Sequence, residues 1–127
     1  EKPVVEYNNI STISEETKNF KGMVTHYGPD CTGCSGITAS GYDVRYTTTY
    51  IDSEFGEVRV IAAPREMPLY SVVKLHNYKG GEIIAIVLDR GGAIKGTHFD
   101  ILVESESSAT QWGVQRDVEF EILRWGK

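Results

Sequence analysis

Apolar and polar residues alternate along this chain in short runs broken by glycine, and no long helical period separates them. "GMVTHYG" (22–28) is a short run bounded by glycine, and "DVRYTTTYI" (43–51) is rich in β-branched and aromatic residues. "GEVRVIAA" (56–63) alternates and then becomes wholly apolar, and "SVVKLHNY" (71–78) follows it. "EIIAIVLD" (82–89) is the most apolar run and is predicted to be a central strand. "HFDILV" (98–103) and the cleanly alternating "RDVEFEILRW" (116–125) complete the set. Two short helices are predicted. One is "STISEETKNF" (11–20), with Thr12 as N-cap and Glu15 as its reciprocal partner; the other is "SESSATQWG" (105–113), closed by Gly113. Strands that follow one another without intervening helices exclude a βαβ sheet. A small closed barrel fits best, because closure removes exposed edges. Residues 1–20 are predicted to be a linker or packing arm in front of a barrel spanning 21–127.

Size and charge narrow the function. The 127 residues suit one domain with a modest core. Eighteen acids against 13 bases give a net charge of −5, and no Lys/Arg run appears, so no nucleic-acid partner is expected. An acidic chain gains little from an anionic membrane surface, and no apolar run reaches the roughly 20 residues needed to span a bilayer. "NIS" at Asn9 to Ser11 is a glycosylation sequon of a kind that arises often by chance.

The chemistry concentrates in "LDRGGAIKGTHFDIL", residues 88–102. Asp89 ends the most apolar run beside Gly91 and Gly92, which would allow a turn with positive φ and close approach of a ligand. Asp100 lies two residues after His98, so both project from one face of a strand. Two carboxylates in one cleft cannot ionise freely together, so one becomes a proton donor near neutral pH, as protonation of a glycosidic oxygen requires. The alternative on spacing alone is a pair of turn-capping aspartates. "GGAIKGT" has Lys-Gly-Thr where a phosphate loop needs Gly-Lys-Thr. The one cysteine pair, Cys31 and Cys34 of "CTGC", lies in a Gly- and Ser-rich loop. A local disulfide or two loop-stiffening thiols, a metal ligand pair with His26 nearby, and a redox pair are all open to it. Tyr27, Tyr42, Tyr46 and Tyr50 precede the acids, and these rings, like Trp112 and Trp125, suit either a sugar cleft or strand packing.

"LDRGGAIKGTHFDILVES" with "WGVQRDVEFEIL" resembles the three-aspartate (3D) domain family, whose pattern runs Asp-Thr-Gly-Gly-Ala-Ile-Lys-Gly, two residues, an aliphatic residue and Asp. "VTHYG", "CTGC", "GITASG" and "PREMPLYSVVKLHN" resemble its upstream segments, so the likeness covers about residues 22–125. The family is similar to the catalytic domain of membrane-bound lytic transglycosylase A. The resemblance implies an all-β fold, a six-stranded double-psi β-barrel with short flanking helices. It implies a bacterial, extracytoplasmic peptidoglycan lytic transglycosylase that cleaves the MurNAc–GlcNAc β-1,4 bond and leaves 1,6-anhydro-MurNAc ends, with no metal or cofactor. By the same resemblance Asp100 is the general acid/base and Asp89 its electrostatic partner. Tyr27, Thr38, Gly91, Gly92, Lys95 and His98 would hold the glycan strand. Arg90 stands where the pattern has Thr, Tyr70 where Gly is common, and Ala63 where the pattern has its first aspartate, with Glu66 and Asp52 as the nearest substitutes. Ala63 is also the feature that points to the alternative, a non-catalytic module that binds wall polysaccharide.

Overall fold

A computed structural model describes residues 10, 12–31, 33–79, 81–91 and 94–126. Asn9 and Ser11 of the sequon, and Gly92, lie outside the described residues. Seven strands and one helix follow in the order β1 (Asn19–Tyr27), β2 (Thr49–Asp52), β3 (Gly56–Ala62), β4 (Val72–Tyr78), β5 (Gly81–Asp89), β6 (His98–Leu102), α1 (Glu106–Trp112) and β7 (Gln115–Arg124).

The sheet runs β2-β3-β5-β4-β7-β1-β6, and a further pairing of β3 with β6 closes six of the strands on themselves. Two pairs are parallel, β1 with β6 and β3 with β5, and the others are antiparallel. This is the six-stranded double-psi β-barrel that the resemblance implies, with β2 hung on one end of β3 as a hairpin partner. The apolar "EIIAIVLD" run becomes β5, which lies between β3 and β4 as its burial on both faces demands.

Alternation along each strand sorts its residues into two cores. The interior core draws on every barrel strand: Val24, Ile61, Leu75, Val87, Phe99 and Phe120 all belong to it. Phe20, Phe99 and Phe120 stack at its centre, with ring centroids 4.6 to 5.8 Å apart. The outer core lies between the barrel wall and the 42–55 segment. Val58, Val60, Ile86, Leu88 and Leu102 meet Val44, Tyr42, Tyr50 and Phe55 there. Tyr42 and Tyr50 are therefore packing residues, edge to face at 5.2 Å, while Trp125 packs on the interior core.

Two sequence expectations fail for the same physical reason. The predicted helix at 11–20 is absent: among the described residues of that stretch, Thr17 closes a single turn by accepting from Ser14 N and donating its own N–H to Ser14 O. Ile13 drops into the interior core, and β1 begins at Asn19. The strand predicted from Asp43 starts only at Thr49. Asp43 accepts from Arg45 N and Thr47 from Thr49 N, so local side-chain bonds take the place of a ladder. The helix at 106–112 forms as its pattern predicts, with Ser105 as N-cap and Gly113 (φ 74) at the C-terminal end. No described helix is long and apolar enough to cross a membrane.

Candidate active site

Strand register brings the two acids together. Ala62 of β3 is paired with Asp89 of β5 on one side and with Asp100 of β6 on the other. Residues in register point to the same face, and two strand spacings separate the acid backbones by about 10 Å. A bulge makes this possible. Ile61 pairs with Val87 but Ala62 pairs with Asp89, so Leu88 is the extra residue. Val87 points into the barrel and Leu88 out of it. Strict alternation would turn Asp89 inward; the bulge places it on the outer face, beside Tyr27 and level with Asp100.

Asp89 is held by three donors. Its Oδ1 accepts from Ala39 N (2.9 Å) and Arg90 N (2.8 Å), and its Oδ2 accepts from the Tyr27 hydroxyl (2.8 Å). These partners come from three separate segments, so the carboxylate is fixed in position and direction. Desolvation by burial, with the charge of Asp89 second, raises the Tyr27 phenol well above its ordinary range. Tyr27 is therefore a hydrogen-bond donor here and not an acid.

Asp100 is held more loosely. Thr25 is its register neighbour on β1, and the Thr25 hydroxyl donates to Asp100 Oδ1 (3.0 Å). Thr25 Oγ1 also lies 2.8 Å from His98 Nε2. Thr25 has one hydroxyl hydrogen; while it is given to the ionised Asp100, the Nε2–H tautomer of His98 is the one that fits the Thr25 contact. Burial raises the Asp100 carboxyl to about 6; the Thr25 bond opposes the rise, and the charges of Glu106 and Asp89 add to it. The site thus sets a carboxyl group fixed by three donors at Asp89 beside a desolvated carboxyl with raised proton affinity at Asp100.

Glycine places the last charge. A Cβ on Gly28 would overlap the backbone of Ser105 and Glu106, so only glycine lets the start of α1 sit against the end of β1. Asp30 fastens that junction by accepting from Glu106 N at 2.9 Å.

The remaining candidates divide. His98 joins the acids through Thr25. Thr38 is buried, and its hydroxyl contacts Ser40 Oγ (2.8 Å) and accepts from Tyr42 N (3.1 Å). It shapes the turn that offers Ala39 N to Asp89. Gly91 does not have the positive φ expected of it; among the neighbouring described residues that conformation falls to Gly96 (φ 67). Its need for glycine is steric, since a Cβ would lie 2.8 Å from Ile94 Cγ1. Gly91 and the exposed Lys95 line a hollow of about 660 Å³ with Ala63, Arg65, Glu66 and Arg90. Asp52, buried and gripped by Arg124, is committed elsewhere, while Glu66 borders the hollow beside Ala63. Cys31 and Cys34 form a disulfide, which settles the open reading of "CTGC".

Sequence reasoning missed Thr25, Ala39 and Glu106. Thr25 shares the alternating face of Tyr27, so strand period alone could have found it. Ala39 acts through its backbone, and Glu106 reaches the site only through the glycine contact.

The 3D domain model matches residues 59–124, the stretch from β3 to β7 that carries both acids. The chain belongs to the 3D domain family. It is 39% identical over 105 residues to the SPbeta prophage-derived uncharacterized protein YorM of Bacillus subtilis, covering 81% of this chain and 42% of the relative. It is 37% identical over 110 residues to the cell wall-binding protein YocH of the same organism, covering 86% and 34%. The chain therefore spans less than half the length of these relatives. Among solved structures, the Streptomyces papain inhibitor superposes with a TM-score of 0.54 at 17% identity, over 88% of this chain and 100% of the inhibitor, a likeness of fold alone.

Proposed function

We propose that this chain is a peptidoglycan-cleaving module, a lytic transglycosylase that opens the MurNAc–GlcNAc β-1,4 bond outside the bacterial cytoplasm. The observation that carries the reading is the pairing of Asp89 and Asp100 with one residue, Ala62, on the outer face of the barrel. Asp100, with a pKa of about 6, gives its proton to the leaving glycosidic oxygen. The C1–O bond breaks, and the muramyl ring takes oxocarbenium character. The ionised Asp100 then accepts the proton of the substrate's own C6 hydroxyl as that oxygen bonds to C1, which closes the 1,6-anhydro ring. Asp89 stabilises the cationic ring through its fixed charge. The chain needs neither an enzyme nucleophile nor a positioned water. A relative that shares 37% identity bears the name cell wall-binding protein, which supports a wall polymer as the ligand.

Digestion of purified sacculi tests this. Mass spectrometry should find anhydro-muropeptides with the wild type and none with Asp100→Asn, while the circular dichroism spectrum stays the same. Hydrated reducing ends from the wild type would indicate hydrolysis instead. A second reading rests on Ala63, where the family pattern has an aspartate: the chain binds wall polysaccharide without cleaving it. Retention on sacculi with no release of muropeptides by either protein would favour that reading.

A further inference from the structure

Arg90 departs from the family pattern next to Ala63, which departs too, and the two are in contact. Arg90 Nη1 donates to Ala63 O at 3.5 Å and to Asp89 O at 3.4 Å, and Nη2 donates to Met67 O. All three acceptors are neutral carbonyls. They hold the guanidinium in place, and the acids that act on its charge, Asp89 and Glu66, do so without an ion-pair contact. Arg90 also lines two hollows. The smaller, about 190 Å³, contains Tyr27 and Asp89. The larger, about 660 Å³, carries Arg65, Arg90 and Lys95 against one acid, Glu66. None of these three cations forms an ion pair among the described residues. A cluster with two excess positive charges is conspicuous on a chain whose net charge is −5.

We propose that the larger hollow is an anion subsite, which receives a carboxylate on a branch of the glycan whose sugar ring lies against Asp89 and Asp100. The inference deepens the wall-glycan reading and rests on it. A neutral glycan would lie against the acids alone. A strand with carboxylate-bearing peptide branches would reach both, because Arg90 borders the hollow of Asp89 as well as the larger one. Charge complementarity selects the branch, and the neighbouring acids repel it from the opposite end. A phosphate on a separate anionic polymer would satisfy the same cations, but it would not require the sugar.

Equilibrium binding on the Asp100→Asn background, where no ligand is turned over, tests the proposal with four probes: chitotetraose, a disaccharide muropeptide with free carboxylates, the same muropeptide amidated, and a glycerol phosphate oligomer. At low ionic strength the free-carboxylate muropeptide should bind about tenfold more tightly than its amide, an advantage that shrinks with added salt. Arg65→Glu should erase that advantage and leave chitotetraose binding within about twofold. Equal affinity for the free and amidated muropeptides overturns the proposal but leaves the glycan reading standing. Tighter binding of the glycerol phosphate oligomer than of the muropeptide also overturns it, in favour of a separate polymer. Failure of both chitotetraose and muropeptide to bind overturns the glycan reading and this inference with it.

Discussion

Asp89 and Asp100 stand opposite the same residue, Ala62, from strands on either side of it. The ten residues between them leave β5 and return along β6, so sequence distance is converted into lateral distance across β3. Their environments differ by design of the fold. Asp89 receives three donors, whereas Asp100 receives the Thr25 hydroxyl and is otherwise desolvated. Of the two, it is Asp100 whose surroundings raise the carboxyl, to about 6.

The Thr25 bond gives the first prediction. It favours the charged form of Asp100, which burial raises to about 6. The acid must be protonated to act, so release of anhydro product should fall as pH rises through about 6. Thr25→Val keeps the side-chain shape and removes the hydroxyl, so the carboxyl should rise further and the descending limb should move to higher pH. A limb that stays in place, or moves down, would show that Thr25 does not set the proton affinity of Asp100.

Most of the barrel was legible because it depends on burial. The runs at 56–63, 71–78, 82–89, 98–103 and 116–125 became strands within a residue or two, since each needs a period of two to fill the cores. The acids were legible for the same reason, as charged residues inside apolar runs. The bulge at Leu88 was not, because nothing in "AIVLD" distinguishes an extra residue from ordinary alternation. The failures at 11–20 and 43–48 lie where Ser, Thr and Asp bond to nearby backbone, a competition that hydrophobic period does not register. Ala39 N was invisible because backbone donors have no residue signature.

Tyr27→Phe removes one of the three donors to Asp89 and keeps the ring in the outer core. A hydrogen bond to a charged group contributes about 1.5–3 kcal/mol, so turnover should fall at least about tenfold if Asp89 stabilises the cationic ring. The melting temperature should drop by only a few degrees. Unchanged turnover on sacculi would mean that the two backbone donors suffice and that Tyr27 serves packing alone.

Gly28→Ala probes the placement of Glu106. The added Cβ meets the backbone of Ser105 and Glu106, which cannot yield as a flexible side chain would. The start of α1 must shift away, at a cost of about 1–3 kcal/mol. Glu106 is one of the charges that raise Asp100, so the carboxyl should titrate at lower pH in this variant. Carbon-detected NMR titration of the Asp100 carboxyl reads this directly. A destabilised variant with the Asp100 titration unmoved would show that Glu106 does not act on the site.

Far from the acids, Arg124 and Asp52 tie the end of β7 to the end of β2. Arg124 Nη2 donates to Asp52 Oδ1 at 2.6 Å and Nη1 to Oδ2 at 3.0 Å, and Asp52 is 7% exposed. The Arg124 bonds, aided by those from Glu54 N and Phe55 N, lower the Asp52 carboxyl to about 2. Arg124→Ala leaves that carboxylate buried without its partner and should cost about 2 kcal/mol in urea unfolding, short of the 3–5 of a fully buried pair because Arg124 keeps one edge in water. Its pH dependence has a definite sign. A depressed carboxyl stabilises the fold above its ordinary pKa near 4, and that contribution is lost as pH falls through about 2. Asp100 acts oppositely: its raised carboxyl stabilises the fold below about 4, and the contribution is lost as pH rises through about 6. The wild type should therefore lose stability between pH 4 and 6 by an amount that Asp100→Asn abolishes, and lose it again toward pH 2 by an amount that Arg124→Ala reduces. Both variants following the wild-type profile in parallel would refute the two assignments together.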